Sequence, residues 1–153
     1  MIQRDYILRI AEDVGRALAR ILYGQEVKDY QAAFGFIDDQ LKQTVGMGLG
    51  FIHSVSEETL LSMFTSLGRV DVDKILFIAI LLKAEGDIYI EQGRADEAYY
   101  SYLKSLNLFL EVLLLNGISH SSGDFPEVEE ILGRLEEYEL PRDTEHLLFR
   151  YYR

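Results

Sequence analysis

The stretch LLKAEGDIYIEQGRADEAYYSYLKSLNLF, residues 81–109, decides the fold. Gly93 sits where a helix must stop, and the residues on either side repeat their apolar positions at three- and four-residue spacing. Two antiparallel helices joined by a tight turn are expected, over about 72–92 and 96–116. Asp71 is placed to cap the first. From Ile75 to Leu82 that helix is apolar on every side, and the second is nearly so from Leu106 to Leu115. A helix without a wet face is either central to its domain or shared with another subunit.

Outward from this pair, the chain reads as helical throughout. Residues 2–23 carry Tyr6, Ile7, Ile10, Val14, Ala17, Leu18, Ile21 and Leu22 as one apolar stripe. Gly24 ends that helix, and Tyr30 to Gln43 predicts another, with Tyr30, Ala33, Phe34, Ile37 and Leu41 facing inward. Three glycines in TVGMGLGF, residues 44–51, fall after a helix and at the wrong spacing for a phosphate loop, so a helix stop and a connection are expected. Ser54-Val-Ser-Glu57 has the form of a capping box and predicts a helix over about 56–67, closed by Gly68 and packed through Leu60, Leu61, Met63 and Phe64. A polar loop follows at 117–125. Asp124-Phe-Pro-Glu127 then opens an acidic helix to about Tyr138, and Pro141 precedes a short last helix. The expectation is an all-α protein of six to seven helices, in one domain spanning residues 1–153.

Composition narrows the function classes. Of 153 residues, 48% are hydrophobic and 27% charged, which is ordinary globular usage and argues against disorder. Cysteine is absent, excluding disulfides and thiolate chemistry. No apolar run approaches the ~20 residues a membrane span needs, and the amino terminus lacks a signal-peptide block. A cytoplasmic protein with no membrane association is expected. The net charge of −11 disfavours nucleic acid, whose phosphates demand clustered Lys and Arg.

No catalytic or metal constellation stands out. His53, His120 and His146 are isolated in sequence, without HExxH or a paired-ligand spacing. The adjacent acid pairs, such as Glu129-Glu130, point about 100° apart on a helix and form no dyad by themselves. Neither enzymatic activity, nor a cofactor, nor a metal is expected.

The central pair resembles a tetratricopeptide repeat, the helix-turn-helix unit of about 34 residues. Gly86 takes the repeat's helix-A glycine, Tyr89 its tyrosine and Gly93 its turn glycine. Ala98 and Ser105 take the small helix-B positions, and Tyr102 the aromatic one. Leu82, Glu85 and Leu110 depart from the favoured Trp, Leu and Pro. One unit, residues 79–112, matches well. Ala33, Ile37 and Leu41 echo Ala98, Tyr102 and Leu106 in a degenerate unit over about 5–43. The resemblance implies a scaffold that binds proteins or peptides. Its concave helix-A face would be Ile80, Lys83, Asp87, Ile90 and Glu91. The acids there disfavour a bound carboxylate and imply a basic or apolar peptide.

The leading expectation is a non-enzymatic interaction module with a protein partner, or with itself as a homodimer. The apolar excess places that interface at Ile78, Leu81, Leu110 and Leu114, with Lys83 and Asp87 on the concave face and Phe149 and Tyr152 on a second surface. The alternative, of a different class, is a ligand-responsive regulatory domain. Its pocket would lie between helices and take a small molecule or an anion, the latter through Arg9, Arg16 and Arg20. Solvated or salt-bridged arginines are the simpler explanation of that face.

Overall fold

The computed structural model describes residues 4–24, 26–123 and 125–153, without the side chains of residues 4, 7, 8 and 122. The described residues hold eight α-helices, one short 3-10 helix at His120–Ser122 and one small hairpin. The protein is all-α. The expected helix start at residue 2, the packing of Ile7 and the cap at Asp124 lie outside the described residues.

At the centre stands α5, Val72–Glu91, capped by Asp71, whose side chain accepts from the Lys74 amide. Gly93, in the left-handed conformation at φ 75°, turns the chain into α6, Ala95–Leu115. Only glycine adopts that conformation without strain. The Arg94 and Gly93 amides close the turn on the Tyr89 and Ile90 carbonyls. Both helices end within about a residue of where periodicity and caps placed them.

Helix α1, Arg4–Tyr23, and α2, Tyr30–Val45, pack on α5 and against one another. Val14, Leu18 and Leu22 are buried from α1, and Ala33, Ile37, Leu41 and Val45 from α2. Tyr6, expected in the α1 stripe, is exposed instead. On the other side, α7, Pro126–Arg134, and α8, Arg142–Tyr152, cover α6. The carboxy-terminal tail thus docks on its own chain. Leu147 and Tyr151 are buried there, and buried Thr144 donates to the Asn107 side chain of α6.

This arrangement corrects the expected interface. Ile78, Leu81 and Leu110 have no exposed surface within a single chain, and Leu114 is half-buried. The apolar excess of α5 and α6 is covered by α1, α2, α7 and α8, so Ile78, Leu81 and Leu110 present no surface on the folded chain. Each such side chain contributes roughly 1.5–3 kcal/mol by leaving water.

The segment between α2 and α5 differs most from expectation. Residues 49–54, of which 49–51 fall in the expected connection, form α3. Asp38 of α2 accepts from the Leu49 amide at 2.8 Å and pairs with Lys42 at 2.9 Å, so one carboxylate starts α3 and supports α2. A Cβ at Gly48 would lie 2.3 Å from that Asp38 oxygen, which is why glycine stands there. Helix α4 is short, Glu57–Met63, and its cap is Ser56 rather than Ser54. Met63, expected to pack, is about half exposed, and 65–70 form a two-stranded hairpin, β1 Thr65–Ser66 and β2 Arg69–Val70. Leu67 and Gly68 both take positive φ at its tip, the conformation that matches strand twist in a two-residue turn. The acidic helix is also shorter than expected. The Leu135 amide reaches both Ile131 and Leu132, tightening the end of α7 into a turn.

Candidate functional site

A groove of about 520 Å³ lies between α1, α5 and α7. It follows from three local patterns. Ala11, Gly15 and Ala19 recur every four residues on α1 and give it a shallow face beside the buried Val14, Leu18 and Leu22. A Cβ at Gly15 would meet nothing, so the glycine leaves space in the groove rather than serving a close helix contact. On α5, the seam changes at Lys83: Ile80, Ala84 and Ile88 line the floor, while Lys83, Asp87 and Glu91 stand on the flank. On α7, Glu127, Glu130 and Arg134 follow at three and four residues and make the far wall.

Charge in the groove is uneven. Among the described lining residues, four carboxylates face two cations. Lys83 bridges two elements: its Nζ is 3.3 Å from Asp87 Oδ2 and 3.0 Å from Glu130 Oε2. Burial works against its charge, but Asp87 and Glu130 outweigh burial and hold the ammonium above the usual lysine range. The other Asp87 oxygen accepts from the Tyr102 hydroxyl at 2.5 Å. Burial first, and then this bond, push the Tyr102 phenol far above its ordinary range, so it is a fixed donor. Gly86 makes that bond possible. A Cβ there would sit 2.6 Å from the Tyr102 ring, so glycine is what leaves room for it. At the other end of the groove, Tyr23 donates to Glu91, and Lys28 lies 3.8 Å from the same carboxylate.

The five residues assigned to the concave face, Ile80, Lys83, Asp87, Ile90 and Glu91, all line this groove. The other expected site residues do not. Phe149 is 67% exposed on α8, and Tyr152 donates to both oxygens of Glu129. Arg9, Arg16 and Arg20 are exposed on α1; Arg16 pairs with Asp13, and Arg20 borders a separate shallow depression beside Asp29. None of the three lines the groove. The walls from α1 and α7 were not singled out in the sequence. The available signals were the Ala11-Gly15-Ala19 spacing and the acids of residues 127–130.

A second cluster joins residues that look isolated in sequence. Glu85, only 3% exposed, accepts from Ser101 at 2.7 Å and lies 2.6 Å from His53 Nε2. These partners satisfy the buried carboxylate. Ser101 bonds to the carboxylate rather than the imidazole, so the three do not form a nucleophile and base. His120 in turn meets Glu129 at 3.0 Å and packs on the Tyr152 ring. Among the described residues, no group of three or more His, Asp or Glu could hold a metal ion, and no helix is long and apolar enough to cross a membrane.

No protein-family model, curated protein or solved structure matches this chain.

Proposed function

We propose that this chain is a non-enzymatic, tetratricopeptide-like interaction module whose groove receives a basic, apolar segment of a partner protein. The observation that carries this reading is the combination of an apolar floor, Ile80, Ala84 and Ile88, with an excess of carboxylates on the flanks. Such a surface fits an amphipathic segment that buries alkyl side chains and presents Lys or Arg to the rim. It repels an acidic ligand, so the groove disfavours an anion pocket. A second copy is a poor occupant as well, because two chains of net charge −11 repel.

The repeat positions support the tetratricopeptide-like part of the reading. Gly86 admits the Tyr102 ring, Gly93 takes the turn, and Ala98 and Ser105 are buried where α5 and α6 approach. The Ser105 hydroxyl bonds the Ala79 carbonyl across that contact.

A random peptide library selected on the wild-type protein tests the proposal, with the double variant Gly15→Leu/Ala84→Leu as the counter-screen. The new side chains fill the groove, and leucine is a better helix former than glycine by up to about 0.8 kcal/mol. Peptides rich in Lys or Arg among apolar residues should bind the wild type and lose at least about tenfold in affinity to the filled variant. Selected peptides that bind both proteins equally would remove the groove as the site.

A further inference from the structure

The Lys83 side chain is only 19% exposed, although a lysine beside an open groove could extend into water. It is held by two carboxylates from different helices, Asp87 on α5 and Glu130 on α7. One of those carboxylates is fixed in advance. Gly86 seats the Tyr102 ring, the Tyr102 hydroxyl holds Asp87 Oδ1, and Oδ2 is left facing the groove. A carboxylate locked by its own support is what a cation site needs, since little ordering remains when the cation arrives. Glu130 is the movable half, more than half exposed on its wall.

From this geometry we infer that Asp87 and Glu130 form a cation subsite of the groove, filled in the unbound protein by the chain's own Lys83, which a partner's Lys or Arg displaces. The inference rests on the proposed partner-binding role of the groove and adds how that groove selects its ligand. The exchange is balanced in charge: one ammonium leaves the carboxylate pair as another cation enters. Lys83 has a flexible four-carbon stem and a strongly hydrated head, so it can swing to water without breaking the fold. A guanidinium has the advantage over an ammonium, because it can bond two carboxylates through a planar fork. The internal lysine therefore sets a threshold. Neutral apolar segments do not displace it, and segments with a correctly placed cation do.

The test compares wild type with Lys83→Met, which keeps the stem and removes the charge, and Lys83→Gln as a second variant if the first fails to fold. The probes are a synthetic amphipathic peptide with Leu and Ala on one face and Lys on the other, and its counterpart with Gln for Lys. Fluorescence anisotropy at ~0.15 M salt reads their affinities. Removing the internal competitor should tighten the Lys peptide by about tenfold and leave the Gln peptide within about twofold. Tyr102→Phe, which unpins Asp87, should weaken the Lys peptide alone. If Lys83→Met binds the Lys peptide equally or more weakly while the wild type binds it, the displacement inference is wrong and the groove reading survives. If no protein binds either peptide, both fail.

Discussion

The two halves of α5 do different work with the same backbone. From Ile75 to Leu82 the helix is enclosed by α1, α2 and α6, and all eight side chains are buried. From Lys83 to Glu91 one flank opens onto the groove, and charged residues alternate with Ala84 and Ile88. The first half provides stability and leaves a partner only the edge of Ile80, at the floor of the groove. The second half gives up burial on one side, and the charges it keeps there are held in defined positions by Tyr102 and α7. The excess of apolar residues, which in sequence suggests an interface, marks the part of the helix least available for one.

Several substitutions separate the halves. Leu81→Ala removes a fully buried side chain and should cost about 2–5 kcal/mol, read as a lowered urea midpoint with peptide binding intact in the folded fraction. Gly86→Ala lies at the boundary. Its methyl would press on the Tyr102 ring, costing about 1–3 kcal/mol and weakening binding of the Lys peptide, because Asp87 loses its anchor. Asp38→Ala, away from both halves, should cost about 1 kcal/mol by uncapping α3. This contribution has a predicted pH dependence. The bond to Lys42, then that to the Leu49 amide, hold the Asp38 carboxyl below its ordinary 3.8. Its stabilisation is therefore fully present above that pH and disappears as pH falls through the lower folded value. Wild-type and Asp38→Ala stabilities, measured by urea unfolding, should converge there. Gly15→Leu is the smallest case, with stability unchanged or slightly raised and only binding affected.

What could be read from sequence followed physical range. Helices α5 and α6 are specified by contacts close in sequence: a cap at Asp71, a turn at Gly93 and long apolar periodicity. Helix α3 depends on Asp38, eleven residues before the Leu49 amide it caps, and on the room Gly48 leaves for that carboxylate. No local rule identifies that contact. The hairpin at 65–70 places Leu67 in a left-handed conformation usually left to Gly or Asn, so only Gly68 signalled its turn, and a glycine there fits a helix stop as well. The groove was half legible. Its α5 flank follows from the amphipathic switch at Lys83. Its α1 and α7 walls are surface-like stretches of small and acidic residues, and only the packing of helices far apart in sequence brings them together. The His53 and Glu85 pairing was hidden for the same reason, since thirty-two residues separate them.

The most direct measurement is a titration of isotope-labelled protein with the Lys peptide, following backbone amide shifts by NMR. Binding in the groove should place the largest changes at Gly15, Ala84, Asp87 and Glu130, with the buried residues Ile78 and Leu110 almost unmoved. Shifts centred on Phe149 and Leu115, or on the Arg9 to Arg20 face of α1, would contradict it and move the binding surface away from the groove.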